Sequence, residues 1–120
     1  MLADLQWAGK IATVQNRYNL MDRQSEQLLN FCSDEGSGFI PWTSIAAGGL
    51  RKSHSGLAEL AQQSGATPNQ LAVAWLLRRS PVILLIPGTS IVVHLEENLI
   101  AASIHLSDAQ FEALTNKIHC

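Results

Sequence analysis

Five consecutive apolar residues, Val82-Ile83-Leu84-Leu85-Ile86, lead straight into Pro87-Gly88-Thr89-Ser90 and then into a helical pattern from about Val92 to Ala102. A strand with one wet face alternates apolar and polar residues, whereas an unbroken apolar run is the pattern of a parallel strand covered on both faces. Parallel strands are joined by crossovers, so this run places the chain among α/β folds built from βα units.

The rest of the chain fits that frame. Ile11-Ala12-Thr13-Val14 reads as a short strand followed by the polar stretch Gln15 to Asn19, and Gly38-Phe39-Ile40-Pro41-Trp42 reads as a second strand with its proline near the end. Between them Asp22 is a plausible N-cap for a helix with Leu28, Leu29 and Cys32 on one face, ending near Gly36. Residues 46–49, Ala-Ala-Gly-Gly, read as a flexible loop, and Leu57 to Ser64 as a short helix closed by Gly65. Thr67-Pro68-Asn69-Gln70 and Ser107-Asp108-Ala109-Gln110 are capping boxes. The first opens a helix through Trp75, Leu76 and Leu77 that is apolar almost all round and ends at Arg78, Arg79 and Pro81, so it should be buried on several sides. The second opens a terminal helix with Phe111, Leu114 and Ile118 on one side. The count is about three parallel strands with covering helices, in one domain spanning residues 1–120.

Composition narrows the partners. Hydrophobic residues make up 47% and charged residues 15%, which suits a buried core, and a net charge of −2 offers no footprint for nucleic acid or an anionic membrane. No signal-peptide pattern opens the chain, and no apolar run approaches the length of a spanning helix. Cys32 and Cys120 then read as free thiols of a reducing cytoplasm.

The turn after Ile86 has the chemistry of an anion site. A helix start presents backbone N–H groups and the positive end of the dipole, and glycine allows close approach to the backbone. Gly88, Thr89 and Ser90 sit where an anion would dock. His94, Glu97 and Asn98, spaced i, i+3, i+4, share one helix face, while Leu95 and Leu99 lie apart and can face the core. That polar triplet beside a phosphate-binding turn suits recognition of a nucleotide. The simpler reading is that Thr89 or Ser90 caps a helix whose polar face is solvated. His94 and Glu97 could supply two metal ligands, but a third and a fourth are not in sight.

Gln15-Asn16-Arg17-Tyr18-Asn19-Leu20, Gly38-Phe39-Ile40-Pro41-Trp42, Gly65-Ala66-Thr67-Pro68, Ala74-Trp75-Leu76-Leu77, Ile86-Pro87-Gly88-Thr89-Ser90 and His94-Leu95-Glu96-Glu97-Asn98 together resemble the aldo-keto reductases, in order and at roughly the family's spacing. The resemblance covers about Ala12 to Ile118 and implies an incomplete (β/α)₈ barrel, with the strand runs as its sixth, seventh and eighth staves. It implies NADP(H) as cofactor. Gln15 would bond the nicotinamide carboxamide, Trp42 would stack on the ring, and Ile45 would lie beside the pyrophosphate. Gly88, Thr89 and Ser90 would hold the adenosine-side phosphate, and His94, Glu97 and Asn98 would reach the phosphate and adenine.

The same resemblance exposes a gap. The family's catalytic aspartate, tyrosine, lysine and histidine come from early strands with which nothing here aligns, and the single tyrosine, Tyr18, belongs to the sixth-strand motif. Thr43-Ser44-Ile45 and Ile91-Val92-Val93 also depart from the commoner patterns, and Met1 falls within what would be a helix-to-strand connection, as in an internal start, a truncated gene or a fragment. The expectation is an oxidoreductase fragment that is inactive alone. Two other readings stand beside it: a non-enzymatic structural or interaction fragment, and a half-barrel that self-associates or needs a complementary N-terminal half.

Overall fold

The computed structural model describes residues 11–42 and 55–117. Ile45, the 46–49 segment, Ile118 and Cys120 lie outside the described residues. In chain order the elements are β1 (Thr13–Arg17), α1 (Glu26–Glu35), β2 (Gly38–Trp42), α2 (Ser55–Ser64), α3 (Pro68–Arg79), α4 (Val92–Ala101) and α5 (Asp108–Lys117).

β1 and β2 pair in parallel, Thr13 with Gly38 through Arg17 with Trp42. The Val82–Ile86 run joins the other side of β2 only at Ile83, through a parallel bridge to Phe39. Phe39 N–H donates to Val82 O at 2.8 Å and Leu84 N–H to Phe39 O at 2.9 Å. The expected third strand is thus a single bridge between two hydrogen bonds. It is also covered on one face instead of two: Ile83 is buried, while Leu84 and Ile86 are 60% and 50% exposed. Among the described residues nothing packs over that second face.

β1 sits further along the chain than its apolar residues suggest. It includes Gln15 and Arg17, because exposed and half-buried positions alternate from Thr13 to Arg17 and polar side chains on the open face cost nothing. The α1 start also differs from expectation. The N-cap position is Ser25, without a side-chain cap bond, and Asp22 instead pairs its carboxylate with Arg17 Nε at 3.0 Å. Asp22 and Met21 N–H groups both donate to Asn19 Oδ1 at 2.9 Å, which fixes a turn before the helix. Gly36 ends α1 with φ 69°, and Gly65 follows α2 with φ 64°, both in the left-handed region that glycine enters without strain.

Both capping boxes form. Gln70 N–H donates to Thr67 Oγ1 at 3.2 Å and Thr67 N–H to Gln70 Oε1 at 3.0 Å. The Ser107–Gln110 box has the same reciprocal bonds at 3.2 and 2.9 Å. Behind the first box, Leu71 through Leu76 are all buried, as an apolar circumference requires.

The core lies between the inner face of the sheet and α1, α2, α3 and α5, with Leu57 and Ala61 of α2 buried in it. Trp75 is stacked between Tyr18 and Phe111, with ring centroids 6.1 and 5.9 Å away, and Tyr18 meets Phe39 edge-on at 6.0 Å. Trp75 Nε1 donates to Thr115 Oγ1 at 2.9 Å, so the buried indole leaves no unpaired donor. Arg79 joins Glu26 and donates to Asn30 at 2.8 Å, tying α3 to α1; Arg78 donates to Leu106 O at 2.9 Å and pairs with Asp108, tying α3 to α5. The two arginines therefore brace neighbouring elements in addition to sitting at a favourable helix end.

α4 inverts the expected orientation. Leu95 and Leu99, expected to face the core, are 49% and 67% exposed, and only Ala101 is buried. The helix meets α3 through its polar side: Gln70 Nε2 donates to Glu97 O at 3.3 Å, and Glu97 and Asn98 are half-buried. Val92, Val93, Leu95, Leu99 and Ile100 are left outward, for want of any element over them among the described residues.

Candidate functional site

The strand register decides which side chains can act together. Side chains alternate along a strand, and residues paired across a parallel ladder point the same way. Gln15 pairs with Ile40 and Arg17 with Trp42, so these four share the open face of the sheet, while Val14, Phe39 and Pro41 point to the helices. Ile83 pairs with buried Phe39, which places Leu84 and Ile86 on the open face as well. Because the bridge is parallel, the ends of β1 and β2 and the turn after Ile86 leave the sheet at one edge, the carboxyl edge. Ligand sites of parallel α/β sheets lie at that edge.

The turn itself is open. Gly88, Thr89 and Ser90 are exposed, and a Cβ built on Gly88 would meet nothing within 4 Å among the described residues. Neither hydroxyl caps α4 in the usual way. The N-cap position is Ile91 with φ −110° and ψ 123°, and it makes no side-chain cap bond. Thr89 Oγ1 instead accepts from Ile91 N–H at 3.2 Å, one residue short of the helix. Among the described residues the first-turn N–H groups thus have no capping side chain, the arrangement that lets a helix start hold an anion. His94 is exposed at that end of the helix, and Glu97 and Asn98 follow one turn on.

The structure therefore gathers Gln15 and Trp42 on one exposed face and Gly88, Thr89, Ser90, His94, Glu97 and Asn98 on one turn and helix at the same edge. Ile45 lies outside the described residues. Arg17 is a neighbour that the motif reading passed over: its guanidinium carbon is 5.9 Å from the centre of the Trp42 ring. Period-two alternation from Gln15 was signal enough to put it on that face.

Tyr18 belongs to the other side. Its ring is buried, its hydroxyl donates to Glu26 Oε2, and burial, reinforced by the hydrogen bond to Glu26 and that carboxylate's charge, pushes the phenol well above its ordinary range. Cys32 is a buried free thiol, pushed up by burial. Among the described residues no cluster of three or more His, Cys, Asp or Glu side chains is placed to hold a metal ion, and no helix is long and apolar enough to cross a membrane.

Residues 2–119 match the model of the Aldo/keto reductase family. The chain is 44% identical over 104 residues to an uncharacterised oxidoreductase of Schizosaccharomyces pombe, covering 87% of this chain and 34% of that protein. It is 40% identical over 114 residues to pyridoxine 4-dehydrogenase of Escherichia coli, covering 94% of this chain and 39% of the relative. The chain thus spans between a third and two-fifths of the length of these relatives. Among solved structures, it superposes on the aldo-keto reductase of Klebsiella pneumoniae in complex with NADPH with a TM-score of 0.83 at 32% identity, over 93% of this chain and 43% of that one.

Proposed function

The chain belongs to the aldo/keto reductase family, and from that membership we propose that it is the carboxyl-terminal, cofactor-holding part of an NADP(H)-dependent oxidoreductase barrel, inactive by itself. The observation that carries the reading is the placement of Gln15 and Trp42 on the open sheet face whose carboxyl edge leads into the uncapped Gly88–Ser90 turn. The fit to a dinucleotide rests on that donor set: an exposed glycine, helix-start N–H groups without a side-chain cap among the described residues, and an exposed aromatic ring.

In this reading Gln15 holds the nicotinamide carboxamide, Trp42 offers its ring face and Ile45 lies against the pyrophosphate. Gly88, Thr89 and Ser90 take the adenosine-side phosphate, with His94, Glu97 and Asn98 at that phosphate and the adenine. The cofactor, when bound, supplies a hydride. Reduction of a carbonyl also needs a proton delivered to its oxygen, and an acid positioned for that step is a separate requirement. Tyr18 does not meet it, being closed into the core against Glu26 on the helix side of the sheet. Binding and orientation are what this chain's residues contribute.

Titration with NADPH, followed through tryptophan emission, tests the proposal. Affinity is expected to be weak and to fall at least about tenfold in Gly88→Leu, whose side chain would occupy the space the phosphate needs. Unchanged affinity in that variant would make the turn a plain helix entry and remove the cofactor reading. The outward apolar residues of the 84–100 segment favour a second reading in the same frame, in which the chain acts only after self-association or with a complementary amino-terminal half.

A further inference from the structure

Of the four arginines among the described residues whose contacts are settled, three serve the helix side. Arg23 donates to Leu20 O and Thr115 O, Arg78 pairs with Asp108, and Arg79 pairs with Glu26. Arg17 alone of these stands on the open face, opposite Trp42 in the ladder. Its side chain is 54% exposed, yet it is held at two points. Nε pairs with Asp22 Oδ2 at 3.0 Å, and the guanidinium carbon lies 5.9 Å from the Trp42 ring centre.

Asp22 is itself fixed. Its N–H donates to Asn19 Oδ1 at 2.9 Å, Asn19 N–H donates to Asp22 O at 2.9 Å, and Gln24 N–H donates to Asp22 Oδ1 at 3.3 Å. A rigid turn thus holds a carboxylate, the carboxylate holds a guanidinium, and the guanidinium lies against an indole that is 45% exposed at the strand end. An exposed indole is free to change rotamer, and stacking a planar ligand on it costs the entropy of fixing it. A cation over the ring removes part of that freedom beforehand.

We propose that Arg17, anchored by Asp22, is a positioning residue that sets the Trp42 indole for stacking on the nicotinamide ring. The inference rests on the cofactor reading above for the identity of the stacked ring. The Asp22–Arg17–Trp42 arrangement itself stands without it.

The test uses the whole chain with Arg17→Met, Arg17→Lys and Asp22→Asn, each also prepared with Trp42→Phe so that subtraction isolates Trp42 emission. Without ligand, Arg17→Met should increase acrylamide quenching of Trp42 and lower its anisotropy, Arg17→Lys should stay near the parent, and Asp22→Asn should fall between them. NADPH affinity should drop about two- to fivefold in Arg17→Met, the range of an exposed cation–ring contact. Binding of 2′,5′-ADP, which lacks the nicotinamide, should not change. A Trp42 signal that is the same in Arg17→Met and parent overturns the inference. So does a changed signal with unchanged NADPH affinity, or an equal loss for NADPH and 2′,5′-ADP. If the parent binds neither nucleotide, the cofactor reading fails, and with it the role given to Arg17.

Discussion

The chain's single tyrosine stands three residues after Gln15, and that odd spacing sends the two side chains to opposite sides of the sheet. Gln15 stays exposed, whereas Tyr18 is enclosed by Trp75, Phe39 and the Glu26 carboxylate. The consequence is structural. Tyr18→Phe leaves the Glu26 carboxylate short of a buried donor, so it should cost about 1–3 kcal/mol of stability, measurable in a urea melt. NADPH-dependent reduction of simple aldehydes should be absent in parent and variant alike; turnover in the parent that vanished in Tyr18→Phe would make this hydroxyl the proton donor and overturn the inactive reading. The phenol also sets a pH dependence. Because its folded pKa is raised above the ordinary value of 10.0, its stabilising effect is complete below pH 10 and is lost as the pH rises beyond it. Thermal melts of the parent should therefore show a steeper loss of stability above pH 10 than those of Tyr18→Phe.

Elements whose form is set locally are legible in the sequence. The Thr67–Gln70 and Ser107–Gln110 boxes and the glycine ends at Gly36 and Gly65 follow from donors and acceptors within a few residues, whereas the Gly38–Trp42 strand announces itself by its residue types though its partners are distant in sequence. Elements whose form depends on distant neighbours are not. Asp22 carries the chemistry of a cap, but Arg17 competes for its carboxylate, and β1 is marked by a polar alternation that the apolar content of Ile11–Val14 obscures. Helical spacing groups His94, Glu97 and Asn98 on one side of α4, yet it could not say which side of α4 meets α3, since that depends on where α3 stands. The six turn and helix residues of the candidate site were readable as one stretch, while joining them to Gln15 and Trp42 needed the strand register. The cap offers a check on the local part. Thr67→Ala should lower stability by about 1 kcal/mol, the usual worth of an N-cap side chain, without a change in nucleotide affinity. A null effect on the melt would mean that the burial of Leu71 to Leu76 alone sets the start of α3.

At the scale of the whole molecule, the sheet and α4 pose one problem twice. A closed (β/α)₈ barrel of about 250 residues leaves no strand edge unpaired and fills its interior with side chains. Here Ile83 has one bridge, to β2, and β1 pairs only with β2 among the described residues. Leu84 and Ile86 are exposed on the open face, and Ile91, Val92, Val93, Leu95, Leu99 and Ile100 are exposed at the start and along the outward side of α4. Exposed apolar surface of this extent marks an interface or an aggregation site, and the Klebsiella pneumoniae relative that superposes on the chain is more than twice its length. The chain is therefore expected to associate with itself at micromolar concentration or to accept a complementary amino-terminal half. Sedimentation velocity should show species heavier than the monomer, with binding of a hydrophobic dye, and Leu84→Glu with Leu99→Glu should shift the distribution toward monomer. An amino-terminal half of the Escherichia coli relative, added in excess, should suppress dye binding in the parent and fail to do so in the double variant. A monodisperse monomer that melts cooperatively and binds no dye would mean that these side chains are covered in solution, and the open-face argument would fall with that result.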